Sequence, residues 1–103
     1  MSVLLEFAMF PTDKGDSVSK YVSKVIEMIR NSGFQYKLTA MGTIIETETL
    51  NEALILVEDS YKILQKDSNR VYSSITLDIQ KNKHNRLEGK IASIESKIGE
   101  VNK

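Results

Sequence analysis

The chain has 103 residues, of which 41% are hydrophobic and 27% charged, a composition typical of one globular domain with a single core. Its 14 basic side chains are balanced by 14 acidic ones, so it lacks the positive excess with which a duplex-binding protein neutralises phosphates. It contains no cysteine and one histidine, which excludes disulfides, thiolate catalysis and cysteine-ligated metals.

The N-terminal apolar stretch predicts a strand rather than a targeting segment. Val3 to Phe10 is rich in β-forming residues and stops at Pro11, which cannot donate to a strand ladder. No basic region precedes it, and no segment reaches the roughly 20 apolar residues that span a bilayer. We therefore expect a cytoplasmic protein.

A helix is predicted after a polar loop. Residues 12–16 have turn chemistry, and Asp16 or Ser17 is positioned to cap the first helical turn. Apolar residues then recur at helical spacing up to about Arg30, and Gly33 is positioned to end the helix. The apolar positions are Val18, Val22, Val25, Ile26 and Ile29.

Two short strands are predicted next. Residues 34–40 alternate strictly between two faces, and residues 43–49 form a second, β-branched run after Gly42. So short a connection predicts an antiparallel hairpin. The pattern leaves open whether Ile44 or Ile45 faces the core.

A second helix and a last strand complete the pattern. Thr49 and Glu52 form a capping box, and the helix that they open should run to about Lys66. Its predicted buried stripe is Leu50, Leu54, Val57, Tyr61 and Leu64. Residues 71–79 then alternate cleanly, which predicts the last strand.

This order of elements predicts a ferredoxin-like βαββαβ sandwich, an α+β fold. Right-handed crossovers place both helices on one face of a four-stranded antiparallel sheet. The other face then has no cover of its own, and its mixed composition suits a subunit interface or a ligand cavity. Its predicted members are Glu6, Ala8, Phe10, Lys37, Met41, Tyr72, Ser74, Thr76 and Asp78.

We assign residues 1–80 to this domain and residues 81–103 to a C-terminal helical extension. Five apolar residues in the extension follow one another at intervals of four, three, four and three, the spacing of a packing seam. They are Leu87, Ile91, Ile94, Ile98 and Val101. A seam this narrow fits packing on the chain's own domain or on a neighbouring subunit.

Catalytic machinery is not visible in the sequence. Glu46 and Glu48 share a strand face, but exposed glutamates on a strand edge explain such a pair more simply than acid–base catalysis. The single histidine, His84, stands among charged residues without an orienting partner, and the glycines form no phosphate-binding pattern. We expect a protein that is not an enzyme and uses no cofactor or metal.

Two segments resemble the signature of the thiamine-binding (YkoF-like) family. They are the run Ser17-Val18-Ser19-Lys20-Tyr21-Val22 and the hairpin Met41-Gly42-Thr43 with Glu46; Arg70-Val71-Tyr72 and a strand ending in Asp78-Ile79 also fit. The resemblance extends from Val3 to the early eighties. It implies a ferredoxin-like fold, a homotetramer built from dimers, and binding of thiamine or its hydroxymethyl-pyrimidine portion.

The resemblance also implies a ligand site where the first helix begins beside the hairpin. The residues implicated are Ser17, Ser19, Tyr21, Met41, Gly42, Thr43 and Glu46. Gly42 would let the backbone approach a ligand closely, and the Glu46 carboxylate would balance a thiazolium charge. The alternative is a structural or regulatory homo-oligomer that binds no small molecule, which the uncovered sheet face and the C-terminal seam also suit.

Overall fold

Four strands and three helices make up the protein in a computed structural model that describes residues 1–103. The strands are β1 (Ser2–Pro11), β2 (Gln35–Leu38), β3 (Thr43–Thr47) and β4 (Val71–Gln80); the helices are α1 (Ser19–Asn31), α2 (Leu50–Leu64) and α3 (Arg86–Ile98). The strands form one antiparallel sheet in the order β2-β3-β1-β4. This is the predicted ferredoxin-like α+β sandwich, and α3 follows it.

The core lies between the sheet and the helices α1 and α2. Strand β1 is central, and its odd-numbered residues from Val3 to Met9 are buried because they point toward the two helices. Leu5 pairs with Ile45 on β3 and with Leu77 on β4. This register places Ile45 in the core and Ile44 on the other face, which resolves the choice that the sequence left open.

The start of α1 differs from the prediction. Val18 is the residue before the helix, and no side chain caps the first turn. The Val18 carbonyl accepts from the N–H groups of Tyr21 and Val22, whereas Asp16 and Ser17 stay exposed in the loop. The predicted cap is wrong because the loop continues two residues beyond Asp16.

Helix α2 has the predicted capping box, but of its predicted stripe only Leu64 is fully buried. Thr49 Oγ1 accepts from the Glu52 N–H at 3.1 Å, and the Glu52 carboxylate accepts from the Thr49 N–H at 3.0 Å. Leu54 and Tyr61, both predicted to be buried, are about half exposed. The residues that are buried are Ala53, Leu56, Ser60 and Leu64. Ser60 is tolerated in the core because its hydroxyl donates to the Leu56 carbonyl.

Removing the capping hydroxyl should weaken the fold measurably. We expect Thr49→Ala to lower the free energy of unfolding by about 1 kcal/mol, because the first turn of α2 loses a side-chain acceptor. Urea unfolding followed by circular dichroism measures this loss. Thr49→Ser keeps the hydroxyl and should recover most of the stability, and equal losses in the two variants would contradict the capping role.

Helix α3 lies against the sheet face opposite to α1 and α2. It contacts β1 and β3, Leu87 is buried there, and Glu88 lies 3.4 Å from the Lys37 ammonium on β2. The sequence predicts that the sheet face opposite to α1 and α2 has no cover of its own. This prediction is wrong for the part of the face that α3 covers, on β1 and β3. Ile94 and Ile98, further along the seam, remain exposed. None of the three helices has the length and apolar character of a bilayer-spanning segment.

Candidate functional site

A largely apolar cleft lies at one end of the sheet, where β1 ends, α1 begins and the β2–β3 hairpin turns. Its volume is about 240 Å³, and 11 of its 14 lining residues are hydrophobic. We call it the hairpin cleft. Its walls include Val18 and Val22 from α1, Phe10 from β1, and Met41, Gly42 and Thr43 from the hairpin.

The turn of the hairpin is held by one hydroxyl. Thr39 Oγ1 donates to the Gly42 carbonyl at 2.7 Å and accepts from the N–H groups of Met41 and Gly42 at 3.2 and 3.1 Å. The Thr39 N–H also donates to the Gly42 carbonyl. These bonds fix the loop between β2 and β3, so the cleft wall is preorganised although Met41 itself is 87% exposed.

Gly42 is required by a close approach of two backbone segments. A Cβ at this position would lie 3.0 Å from the Phe7 carbonyl oxygen and 3.8 Å from the Ala8 Cβ. Backbone cannot retreat as a flexible side chain can, so any larger residue would push the hairpin away from β1. From the sequence we expect Gly42 to let the backbone approach a ligand closely; in the structure the close approach at Gly42 is to the backbone of β1.

The residues implicated near the start of α1 do not line the hairpin cleft. Ser17 is exposed in the loop, and Ser19 lies in an adjoining depression, which shares part of its lining with the hairpin cleft and also includes Tyr36. Tyr21 packs against the core, with the Lys20 ammonium 5.9 Å from its ring centroid. Of the seven implicated residues, the structure brings together only Met41, Gly42 and Thr43 as lining residues.

Glu46 lies on the opposite face of the sheet, where it holds the start of α3. Its carboxylate accepts from the N–H groups of Arg86 and Leu87, both at 3.0 Å, and from Ser2 Oγ at 2.5 Å. It is three residues beyond Thr43 on β3, a separation of about 10 Å along the strand. Glu46 is thus the N-terminal cap of a helix that begins 40 residues later.

The charge of Glu46 is stabilised where it lies. Burial alone would raise the pKa of the carboxyl. The hydrogen bonds from Ser2 and from the Leu87 and Arg86 N–H groups, together with the Arg86 charge, outweigh this effect and hold the pKa below its ordinary value of 4.5. The carboxylate is therefore ionised near neutral pH, with its oxygens already occupied by donors.

Arg86 completes the same cluster. Its guanidinium donates to Ser2 Oγ at 3.1 Å, to the Ser2 carbonyl at 2.8 Å and to the Asp78 carbonyl at 2.6 Å. It also lies 3.0 Å from the Asp78 carboxylate. We call Ser2, Glu46, Asp78 and Arg86 the α3 anchor, because they join the first helical turn to β1, β3 and β4.

Several lining residues of the hairpin cleft were missed by the sequence analysis. Val22 had been assigned only to a buried stripe, and Phe10 to a strand and to the uncovered face of the sheet; Phe10 also contacts Tyr72, with ring centroids 5.7 Å apart. Thr39 was treated as a strand residue, although a threonine hydroxyl can form a turn by hydrogen-bonding the backbone two residues further on, as Thr39 Oγ1 does with the Met41 N–H. Nothing in the local sequence marks Phe10 or Val22 as a cleft wall, because the partner elements come from distant parts of the chain.

The hairpin cleft can hold a small flat group by apolar contact. Its lining contains no charged side chain, so it offers no counter-ion within its walls. Its polar side chains are those of Thr39 and Thr43, and backbone groups supply the other polar atoms. No three His, Asp or Glu side chains lie close enough together to hold a metal ion.

Comparison with known proteins decides the family. The family model described as "Thiamine-binding protein" matches residues 5–95, which is most of the chain. The chain belongs to this thiamine-binding protein family. The match confirms the resemblance drawn from the hairpin and the first helix.

Relatives of this thiamine-binding family member share its fold as well as its sequence. A UPF0045 protein of Methanocaldococcus jannaschii is 37% identical over 92 residues, which cover 89% of this chain and 91% of that protein. A crystal structure of a hypothetical protein from the same organism superposes with a TM-score of 0.80 at 36% identity, over 90% of this chain and 95% of that one.

A structure with lower sequence identity shares the fold of this chain. A putative thiamine biosynthesis/salvage protein from Thermotoga maritima superposes with a TM-score of 0.78 at 17% identity, over 91% of this chain and 99% of that one. At this level of identity the likeness supports the ferredoxin-like sandwich, and the ligand of that protein is not transferred to this one.

Proposed function

We propose that the chain is a cytoplasmic, non-catalytic homo-oligomer that binds thiamine or a thiamine-related pyrimidine in the hairpin cleft. The observation that carries the proposal is a preorganised apolar cleft of about 240 Å³ in a member of the thiamine-binding protein family. The cleft lies at the Met41-Gly42-Thr43 hairpin, where the resemblance implies a ligand.

The lining chemistry favours the pyrimidine as the part that enters. An aminopyrimidine is flat and uncharged, so no charge has to be desolvated when it enters a cleft without charged walls. Aliphatic and aromatic side chains then cover its faces, and the few polar groups fix its orientation. The thiazolium of thiamine would remain at the exposed edge beside Met41, where water solvates its charge.

The role of Glu46 follows from this arrangement. Its carboxylate is bonded to Ser2, Arg86 and Leu87, so within this chain it does not serve the hairpin cleft. The counter-ion for a bound thiazolium then comes from solvent ions or from another subunit. Because another subunit can supply this counter-ion, the proposal includes oligomerisation, to the tetramer that the resemblance implies.

A calorimetric titration tests the binding proposal. We expect saturable heat with thiamine and with 4-amino-5-hydroxymethyl-2-methylpyrimidine, at one molecule per chain. Val22→Phe should fill part of the hairpin cleft and weaken affinity by at least about tenfold, or 1.4 kcal/mol. Val57→Phe enlarges a partly buried valine of α2 outside the cleft and is the matched control.

Two outcomes would contradict this site. Equal loss of affinity in the two phenylalanine variants would mean that general repacking, and not the cleft, governs binding. A loss of more than about tenfold in Glu46→Gln, with Val22→Phe unchanged, would assign the ligand to the opposite face of the sheet, beside the α3 anchor.

A structural or regulatory homo-oligomer that binds no small molecule is the second candidate. It is favoured by the composition of the hairpin cleft, since an apolar cleft with no charged wall can also receive an apolar side chain of another subunit. No heat with either ligand, together with a stable oligomer in solution, would support this candidate over the first.

A further inference from the structure

A second concave surface lies on the helix layer, between the end of α1 and the first part of α2. Its volume is about 490 Å³, and four of its eight lining residues are hydrophobic. We call it the α1–α2 groove. Its apolar lining residues are Met28, Phe34, Ile55 and Leu56, and its ionisable ones are Glu52 and Asp59. No residue lines both this groove and the hairpin cleft, so the groove is separate from the site proposed above for thiamine.

The charge of the α1–α2 groove has one sign. Its two ionisable lining residues are both acidic, and none of the chain's 14 lysines and arginines lines it. Glu52, Ile55 and Asp59 stand at positions i, i+3 and i+7 of α2, so their side chains share one face of the helix. Ile55 is 45% exposed. An exposed apolar side chain therefore lies between two carboxylates, over a length of about 10 Å.

Neither carboxylate is neutralised by a cation of the chain. Glu52 and Asp59 take part in none of the five ion pairs. The hydrogen bonds that Glu52 accepts all go to Oε1, so its Oε2 accepts none. Glu58, which directly precedes Asp59, lies by contrast 3.7 Å from the Lys62 ammonium. The groove thus holds unbalanced negative charge in a chain whose formal net charge is zero.

The acidic surface continues into an adjoining depression of about 470 Å³. This depression shares Phe34 and Glu52 with the α1–α2 groove and adds Glu48, which is exposed and belongs to none of the ion pairs. Glu46 also lines it but is bonded within the α3 anchor. Its one side chain that can become cationic is His84. The two concave surfaces together form one elongated acidic surface around a half-buried aromatic ring.

We infer that the α1–α2 groove receives a basic amphipathic helix of another protein. The apolar face of this helix covers Ile55 and Phe34, and its lysine and arginine side chains lie beside the carboxylates of Glu52 and Asp59. Opposite charges across an interface speed association and select the partner. The inference goes beyond the proposed function, because it needs neither the hairpin cleft nor thiamine.

The shape of the groove favours a helix over other occupants. The groove is more open than the hairpin cleft, whereas a small ligand needs a pocket that buries most of its surface. Its lining comes from α1, α2 and the connection between α1 and β2, so it offers no strand edge to an extended peptide. Helix α3 of a second copy matches the charge less well, because its Lys90 and Lys97 are accompanied by Glu88 and Glu95.

Fluorescence anisotropy with a synthetic probe tests the inference. The probe is a labelled peptide of about 14 residues, or four helical turns, with leucine at helical spacing and lysine elsewhere; a second probe has glutamate in place of lysine. We expect saturable binding of the lysine probe, weakened by added salt, and no binding of the glutamate probe. Asp59→Lys and Ile55→Asn should each weaken binding of the lysine probe by at least about tenfold.

Two neighbouring residues provide matched controls. Glu58→Lys makes the same change of charge one residue away, and Leu54→Asn changes a leucine that is 46% exposed, as against 45% for Ile55. Neither residue lines the groove, so both variants should bind the lysine probe as the wild type does. Equal weakening by the control variants, binding of both probes alike, or no binding of the lysine probe would overturn the inference.

Other occupants of the groove give different results. A loss in Asp59→Lys with Ile55→Asn unchanged would mean that the groove takes a small cation. A changed assembly mass of these two variants in analytical ultracentrifugation would mean that a second copy of the chain covers the groove. Either result would overturn the amphipathic helix as the partner.

Amide chemical shifts of the unmodified protein locate the lysine probe without depending on how the variants fold. We expect the largest changes at the N–H groups of Asn31, Ile55 and Asp59, and none at the hairpin residues Met41 and Thr43. Thiamine added to the same sample should still bind, since the two sites share no lining residue. Shift changes confined to the hairpin would overturn the inference, whereas a failure of thiamine to bind would overturn only the proposed function.

Discussion

Truncating Leu5 to alanine is expected to lower the free energy of unfolding by about 3 kcal/mol, the largest single-residue effect that we predict on the fold. Leu5 is fully buried in the middle of β1, between Ile45 on β3 and Leu77 on β4. Alanine would leave a cavity at the point where the central strand meets both neighbours, and close-packed neighbours can fill such a cavity only in part.

The measurement is urea unfolding at one fixed protein concentration, because self-association would otherwise contribute to the apparent stability. Leu38→Ala is the matched control, since Leu38 is a strand leucine that is 61% exposed and its truncation should cost less than about 1 kcal/mol. Comparable losses in the two variants would mean that Leu5 is not at the centre of the core.

Local patterns in the sequence are sufficient to predict most of the fold. The alternation in β4, the helical spacing in α1 and the capping box at Thr49 each depend on residues within a few positions of one another. The order of these elements then leaves few topologies, because the crossovers have a preferred hand. The structure has the predicted elements with boundaries shifted by at most two or three residues.

The buried stripe of α2 could not be predicted from spacing, because the helix has apolar residues around most of its circumference. Leu54 and Leu56 are equally hydrophobic, yet only Leu56 is buried. The choice is made by where α1 and the sheet contact the helix, which is tertiary information. The same explanation holds for Ile44 and Ile45, whose faces are set by pairing with β1.

The candidate site was predicted only in part for a related reason. The hairpin residues Met41, Gly42 and Thr43 are adjacent in sequence and stay adjacent in the cleft. The bonds of Glu46 reach Ser2 and Arg86, which are 44 and 40 residues away, and no spacing rule connects them. A carboxylate that appears available in the sequence is therefore occupied in the folded chain.

Replacing Glu46 with alanine should release the first turn of α3 from the sheet. The N–H groups of Arg86 and Leu87 and the hydroxyl of Ser2 lose their common acceptor. Hydrogen bonds to a charged group are stronger than neutral ones, so we expect the free energy of unfolding to fall by about 2 kcal/mol. Amide exchange along α3 should rise together with this loss, since the helix is held chiefly at this end.

Glu48→Ala is the control for this prediction. Glu48 is an exposed carboxylate two residues further along the chain, so removing its side chain should change stability by less than about 0.5 kcal/mol. Unchanged exchange in the Glu46 variant would mean that packing of Leu87, and not the carboxylate, holds the helix in place. Faster exchange of α3 in the Glu48 variant would mean that the effect is not specific to Glu46.

The anchoring by Glu46 should also depend on pH, in a direction set by its lowered pKa. As the pH falls below 4.5, the unfolded chain takes up a proton at this site before the folded chain does, so the stabilisation present above that pH is lost. The glutamine in the Glu46→Gln variant cannot titrate. Asp13 and Glu95, whose pKa values are also lowered, are present in both the wild type and the variant, so their contributions cancel in the difference between the two free energies of unfolding. The stability advantage of the wild type over Glu46→Gln should therefore be constant above about pH 6 and shrink below pH 4.5. An advantage that stayed constant down to pH 3 would show that the charge of Glu46 contributes nothing to the attachment of α3.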